Sequence, residues 1–285
     1  MSRVAVTPIQ ESDLPEIGSF LSRNLNARIP SNTWIRSLQH PWCENRPNFG
    51  VQARVGNELV GVFCAIYSDQ LVDGRIEKFC NPHSWCMQDA FRGESVSLPL
   101  HLIRQQGYHF TMLTPNPRVA EIFLRLGFRN MDDAIVVFPN LPAPGAVTGK
   151  RFACTERDEI ARRLPESLRR DFDLHRQIPW LSFAAFGEDG DVCLVVYKRD
   201  RWKRLPCARI IHISDPNAFE RHRRLLGHRL IGKGLAVSRV ERRFLARDFR
   251  FAVRERRTQA KLVKSPTLAD GQIRDLYTEL VALDL

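Results

Sequence analysis

Apolar and polar residues follow two different periods along the first half of the chain, and the two periods predict different elements. Apolar residues three and four positions apart predict helices, whereas short apolar runs beside turn residues predict strands. The predicted strands are 4–7, 50–55, 58–67, 84–88, 109–113 and 134–138, and the predicted helices are 14–21, 34–38, 98–106 and 117–126. The resulting order, β-α-α-β-β-β-α-β-α-β, predicts an α/β protein with helices packed on a mixed (α+β) sheet.

A stretch rich in proline and glycine at 139–150 predicts the boundary between two domains, which we place at 1–141 and 151–285. The second domain repeats the β-β-β-α-β order found in the middle of the first. Its predicted elements are strands 181–186, 192–198, 208–214 and 235–240 and a helix over 217–232, capped by Asp215 or Asn217. The run 269–283 predicts an amphipathic helix that packs back on the protein.

The charge of the chain is divided unevenly between its halves. Of the 285 residues, 1–149 hold 13 basic and 13 acidic residues, whereas 150–285 hold 30 and 19, so the whole excess of +11 lies in the second half. Such asymmetry indicates an anionic partner or, alternatively, a solvated surface rich in arginine. The basic residues do not alternate with a regular set of aromatic residues, which favours the solvated surface over a nucleic-acid platform.

Several classes of protein are disfavoured by features that the sequence lacks. No apolar run reaches the roughly 18 to 20 residues of a membrane span, and the N-terminal residues do not have the pattern of a secretory signal. The seven cysteines form no C-x-x-C pair, so we expect no metal, no disulfide framework and reduced thiols in a cytoplasmic protein.

A strand, a loop of small residues and a helix follow one another around residues 91–97. The loop reads Phe-Arg-Gly-Glu-Ser-Val-Ser. A pyrophosphate can bind at such a junction, because backbone N–H groups converge there and the dipole of the helix favours negative charge. Small residues let the phosphates approach the backbone.

This loop resembles the pyrophosphate loop of the GNAT superfamily of acyl-CoA N-acyltransferases. Arg92 matches the first position of the family signature, and Ser95 and Ser97 stand where the family usually has small residues. The segment 116–128, an asparagine-capped helix that ends in Leu-Gly-Phe, resembles the next motif of the family. The resemblance implies a GNAT fold for 1–141 and a degenerate GNAT-like module for the second half.

The resemblance also implies acetyl-CoA or another acyl-CoA as co-substrate and an unidentified amine as acceptor. The basic second half makes an anionic acceptor one of the alternatives. The residues that it assigns to the co-substrate are Met87, Arg92, Gly93, Glu94, Ser95, Val96, Ser97, Asn116 and Phe123. Two of them depart from the family. Phe123 stands where a tyrosine often protonates the leaving thiolate, and Glu94 places a negative side chain in the phosphate loop.

The residue that deprotonates the amine is not evident, because the strand 83–88 carries no carboxylate. Alternation along that strand predicts His83 on one face with Trp85 and Met87, and the pKa of histidine suits a base near neutral pH. Glu77 is the nearest preceding carboxylate. The alternative for His83 is a structural role, as a loop or edge histidine whose hydrogen bonds are satisfied, and Glu77 has a similar alternative. Cys86 is interpreted as a core residue.

Three functions remain open. The first is an acyl-CoA-dependent N-acyltransferase, and the second is a GNAT-fold binding or scaffold protein without catalysis. The third, a nucleic-acid-binding protein, rests on the basic second half alone, since no helix-turn-helix, zinc or RNA-binding signature is present.

Overall fold

The computed structural model describes residues 4–143 and 149–284. The strands are β1 Ala5–Pro8, β2 Gly50–Val55, β3 Glu58–Val72, β4 Arg75–Met87, β5 His109–Met112, β6 Arg129–Asn130, β7 Ala134–Pro139, β8 Phe152–Cys154, β9 Ser182–Glu188, β10 Asp191–Trp202, β11 Leu205–Ile213, β12 Val237–Glu241, β13 Val253–Arg256 and β14 Leu262–Lys264. The helices are α1 Leu14–Asn24, α2 Ser31–Leu38, α3 Ser97–Leu102, α4 Pro117–Arg125, α5 Arg157–Arg163, α6 Glu166–His175, α7 Pro216–Gly232 and α8 Glu279–Ala282.

The chain divides into two compact units, each of which contains one seven-stranded sheet. The first unit comprises residues up to Met131, Gln259–Gln272 and the segment from Tyr277 onward; the second comprises Asp132–Thr258 and Ile273–Leu276. Within the described residues, no helix is long and apolar enough to cross a membrane. All seven cysteines are free and buried.

The sheet of the first unit has the order β1-β2-β3-β4-β5-β14-β6. Strands β1 to β4 pair antiparallel with their neighbours, and β4 and β5 run parallel. One face carries an apolar cluster that contains Leu98 and Leu102 of α3 and Phe123 of α4. The other face carries a cluster built with residues of α1 and α2. This unit therefore has two layers of helices around one sheet.

The sheet of the second unit has the order β13-β7-β12-β11-β10-β9-β8. Strands β9, β10 and β11 pair antiparallel, and after α7 strand β12 returns parallel to β11. The predicted β-β-β-α-β order of the second half is therefore present. It repeats the order β2, β3, β4, α3, β5 of the first unit.

The units are divided at a different place from the predicted linker. Strand β7 pairs with β12 and β13, so it belongs to the second unit, and the division falls between Met131 and Asp132. Strand β14, near the end of the chain, pairs with β5 and β6 in the first unit. The sequence does not show that β7 belongs to the second unit and β14 to the first, because the pairing partners of a strand are set by tertiary structure. Residues 144–148 of the predicted linker lie outside the described residues.

The prediction of one continuous helix over 269–283 is wrong. Helix α8 spans four residues, Glu279–Ala282, and its N-cap Thr278 has extended backbone angles, so no helix runs through it. The apolar residues of the run are nevertheless buried, as their spacing predicted: Ile273, Leu276, Tyr277 and Leu280. A periodic apolar pattern reports burial, and here the buried segment is largely irregular.

Candidate active site

Strands β4 and β5 separate soon after they meet. Their register comprises two pairs, Phe79 with His109 and Cys80 with Phe110. At the next residue the side-chain amide of Asn81 spans the gap and donates to the carbonyl oxygen of Thr111 at 2.9 Å. The remainder of β4 has no pairing partner on β5, and we call this end of the pairing, beyond the carboxyl end of β5, the opening. Ligands bind beyond the carboxyl ends of the strands in open α/β sheets.

A β-bulge interrupts β4 along this opening. His83 lies opposite Cys64 and Cys86 lies opposite Val62, so two residues of β4 between them face a single residue of β3. Ser84, the first of the two, has a φ of 54°, in the left-handed region. A bulge leaves a residue outside the ladder and turns the strand, and bulges are over-represented next to active sites.

The bulge contradicts the prediction that His83 shares a face with Trp85 and Met87. Residues directly opposite each other on paired strands lie on the same face. His83 therefore faces the side of Cys64 and Cys86, whose cluster includes residues of α1 and α2. Trp85 and Met87 pack on the other side, against the cluster that includes α3 and α4. The extra residue of the bulge reverses the alternation of side chains between the two faces of the sheet after His83. The sequence does not reveal where such a residue lies.

His83 is 6% exposed. Its Nδ1 lies 2.8 Å from the hydroxyl oxygen of Ser84, and its Nε2 has no hydrogen-bond partner among the described residues. Burial lowers the pKa of the imidazole to about 4, because the charged form is poorly solvated there. His83 is therefore a neutral imidazole at pH 7 with one nitrogen unused.

Glu279 is a second buried group at the same opening, and the sequence analysis missed it. Its backbone N–H donates to Oδ1 of Asn81 at 2.9 Å, and its Oε1 accepts from Leu113 N at 3.2 Å and Thr114 Oγ1 at 3.0 Å. Its Oε2 has no partner among the described residues. Burial raises the pKa of this carboxyl above its ordinary value. The sequence signal that could have indicated a buried carboxylate is the single acidic residue, Glu279, within the largely apolar run 276–283.

Glu77 and His83 are not brought together. Glu77 lies opposite Gln70, six residues before His83, which corresponds to about 20 Å along a strand. Its Oε2 lies 3.1 Å from Nε2 of His109, whose Nδ1 lies 2.8 Å from the hydroxyl of Ser265. Glu77 thus belongs to a polar chain at the other end of β4.

The predicted phosphate loop begins directly after β4 as a short 3-10 helix, Asp89–Glu94. Arg92 is exposed and lies 2.8 Å from the carboxylate of Asp89. The Glu94 side chain is exposed to solvent, and its carbonyl oxygen accepts from the hydroxyl of Ser97 at 2.6 Å. Gly93 has no neighbouring atom within 4 Å of the position that a Cβ would take, so the backbone there is open to a ligand.

The remaining predicted residues lie on α4 and in the core beside it. Asn116 caps α4 as predicted, since its Oδ1 accepts from Val119 N at 2.9 Å. Phe123 is completely buried, with ring-centre distances of 6.1 Å to Trp85 and 5.0 Å to Phe128. Phe123 therefore fills the core and brings no polar group to the opening.

These features fit an acyl-CoA. Beyond Cys80, β4 has no pairing partner on β5, and the open backbone at Gly93 with the exposed Arg92 suits a pyrophosphate. The two carboxylates at Asp89 and Glu94 oppose that charge, and this predicts modest affinity.

Comparison with known proteins identifies the fold. No family model matches the sequence, and no curated protein matches it. Among solved structures, it is similar to a GCN5-related N-acetyltransferase from Anabaena variabilis (TM-score 0.60, 9% identity, 92% of this chain and 72% of that one). It is also similar to a GCN5-related N-acetyltransferase from Kribbella flavida (0.56, 13%, 92% and 70%). A third similar structure is N-myristoyltransferase from Saccharomyces cerevisiae with bound myristoyl-CoA (0.50, 12%, 97% and 84%). The chain thus has the fold of the GNAT superfamily that its loop and helix motifs resemble.

Proposed function

We propose that this protein is an acyl-CoA-dependent N-acyltransferase whose active site lies in the first unit, at the opening between β4 and β5. The observation that carries the proposal is the pair of buried, unpartnered polar atoms there, His83 Nε2 and Glu279 Oε2. Buried polar groups are nearly always hydrogen-bonded. Two exceptions, one on β4 and one bonded to β4 through Asn81, favour a ligand that supplies their partners.

The pKa values of His83 and Glu279 are shifted in opposite directions, which suits proton transfer. Burial favours the neutral base at His83 and the neutral acid at Glu279, and such divergence marks acid and base assignments in enzymes. With the Nδ1 proton of His83 donated to Ser84, Nε2 can accept a proton from an amine. Because Oε1 of Glu279 already accepts two hydrogen bonds, a proton bound by this carboxyl would lie on Oε2, from which it can be donated.

The residues that would hold the co-substrate are those of the resemblance. A bound acyl-CoA would supply an acyl group activated as a thioester. Arg92 to Ser97 would bind the pyrophosphate, Met87 would border the pantetheine arm, and Asn116 would fix the start of α4. Phe123 would contribute only apolar packing, so Glu279 takes the place of the tyrosine that the family often has.

Release of CoA from acetyl-CoA, measured with a panel of amines, amino sugars and anionic amines, tests this proposal. We expect release with at least one acceptor and a decrease of about 10²- to 10⁴-fold in Glu279→Gln. The amide keeps the acceptor oxygen for Leu113 and Thr114 but cannot act as an acid. Unchanged release in Glu279→Gln would contradict the assignment.

The burial of Phe123 and His83 favours a second candidate, a GNAT-fold binding module without catalysis. In that case acetyl-CoA binds, and no acceptor releases CoA above background in the parent protein or in Phe123→Tyr. Titration of the protein with acetyl-CoA, together with the release assay, distinguishes the two functions.

A further inference from the structure

A cleft of about 840 Å³ lies within the second unit, and none of the residues assigned above lines it. It is bordered by the end of β7 and the residues after it, the middle of α7 and the loop that follows β12. Four arginines and one glutamate line it, a formal charge of +3 with histidine counted as neutral: Arg151, Arg221, Arg223, Arg224 and Glu188. The basic excess of the second half is thus concentrated partly in a concave site.

The arginines of this cleft differ in whether they form an ion pair with a carboxylate. Arg221 is fixed by two hydrogen bonds to the carboxylate of Asp191, at 2.8 and 2.6 Å. Arg223 and Arg224, on the same helix, form no ion pair with any residue in the described part of the chain. Two adjacent arginines that form no ion pair leave a positive site open to an anion, because the nearby carboxylate of Glu220 pairs with Arg247.

Arg223 is held in place for such an anion. Its guanidinium carbon lies 4.5 Å from the ring centre of Phe249, and that ring packs on Phe138 with a centroid distance of 5.0 Å. Burial, together with the nearby charge of Arg224, lowers the pKa of Arg223 from its ordinary value. A planar guanidinium fixed on an aromatic face presents its N–H groups in a defined direction, as phosphate recognition requires.

The same cleft exposes an aromatic ring. Phe251 is 74% exposed, more than any other large hydrophobic residue of the described chain, and it lines the cleft beside the arginines. A planar ring of a ligand can stack on such a surface, as bases do on aromatic side chains.

We propose that this cleft binds a nucleoside phosphate, with its phosphates on Arg223 and Arg224 and its base on Phe251. The volume lies in the range of small-molecule sites, about 300–1,000 Å³. One exposed ring serves one base, whereas a single strand of nucleic acid needs a series of them. The site is independent of the acyl-CoA site in the first unit.

Calorimetric titration of the full chain with ADP, pyrophosphate and adenosine tests the proposal. We expect ADP to bind and Arg224→Glu to weaken it by about 10- to 100-fold, the effect of hydrogen bonds to a charged group. Arg229→Glu is the matched control: it lies on the same helix, is exposed and borders a different pocket, so ADP affinity should change by about twofold or less.

Phe251→Ala separates the base from the phosphates. Loss of stacking should weaken ADP about tenfold and leave pyrophosphate unchanged. Ser95→Asp, in the first unit, should abolish release of CoA from acetyl-CoA and leave ADP binding intact, which distinguishes this proposal from the proposed function. The proposal is overturned if ADP does not bind, if Arg229→Glu weakens it as much as Arg224→Glu, if Ser95→Asp abolishes it, or if a ten-nucleotide single strand binds the cleft and ADP does not displace it.

Discussion

The two units each place a buried histidine on the third strand of the shared β-β-β-α-β order, and we assign only one of the two to the candidate active site. His83 on β4 and His212 on β11 both lie beside a register irregularity with the preceding strand. Burial lowers the pKa of each to about 4, and the Nε2 of each has no hydrogen bond within the described residues. Their surroundings differ, because Nε2 of His212 lies 3.7 Å from the carboxylate of Asp171, which also binds Arg274.

The two units also differ at the junction between the third strand of the order and the helix that follows it. In the first unit, the exposed segment Asp89–Glu94 leads into the six-residue helix α3. In the second, Asp215 caps the 17-residue helix α7 with its own carboxylate, which accepts from Asn217 N at 2.7 Å and Ala218 N at 3.1 Å. An acidic side chain thus occupies the position that an anion would take. The same strand order therefore leaves the strand-to-helix junction open in the first unit and capped by a carboxylate in the second.

Substitution of the two histidines should show the largest difference between the units. His83→Gln should lower CoA release by about 10²- to 10⁴-fold, because the amide cannot take a proton. His212→Gln removes an equally buried imidazole from the second unit and should leave release per folded molecule unchanged. Equal losses in both variants, normalised to folded protein by circular dichroism, would remove the distinction.

The pH dependence of stability should be common to both units. The folded-state pKa values of His83 and His212 lie near 4, below the ordinary value of about 6.5. As the pH falls below 6.5, the unfolded chain binds protons first. Stability is therefore complete above pH 6.5 and decreases toward pH 4, by up to about 1.4 kcal/mol per pH unit for each histidine. Thermal melts between pH 7.5 and 4.5 measure this, and His83→Gln should flatten the profile; a steeper one would contradict it.

Removal of the helix caps should cost about 1 kcal/mol in either unit, within a range of 0.5–2. Asp215→Ala frees two N–H groups and Asn116→Ala frees one, so the first should destabilise more. Urea unfolding of both variants measures the order. Binding of acetyl-CoA should persist in Asp215→Ala, and its loss there would place the co-substrate in the second unit.

The smallest effect concerns the ion pair of Arg92. Asp89→Asn should strengthen acetyl-CoA binding a few-fold, because an exposed ion pair is worth less than about 1 kcal/mol. The pair Glu166–Arg169 in the second unit has the same spacing and similar exposure. Glu166→Gln is therefore the control, and its acetyl-CoA affinity should equal that of the parent. Weaker binding in Asp89→Asn would exclude Arg92 from the site.

Local patterns predicted most of the fold. Strands β2, β3, β5, β9, β10, β11 and β12 and helices α1, α2, α4 and α7 lie where periodicity and caps placed them. The exchange of β7 and β14 between units could not be predicted, because neither strand carries a sequence mark of its partner. Short elements with few apolar residues, such as β13 with its exposed Arg-rich sequence, were also missed.

The candidate site was predictable only in part. His83 and the loop 92–97 follow from residue type and motif. The face of His83 depends on the bulge at Ser84, and the role of Glu279 depends on a contact between residues 81 and 279. Both are consequences of tertiary structure. A departure from an alternating pattern cannot be located from one sequence when every residue around it is compatible with a strand.

The central claim is that the first unit holds the acyl-CoA co-substrate. Isothermal titration of acetyl-CoA into Arg224→Glu tests it through the number of sites, because this variant weakens the nucleoside-phosphate cleft of the second unit, which the ADP part of CoA also fits. We expect one site per chain in Arg224→Glu and none when Ser95→Asp is added, because the new carboxylate meets the pyrophosphate. Two sites per chain in Arg224→Glu, or one site that persists unchanged in the double variant, would contradict the claim.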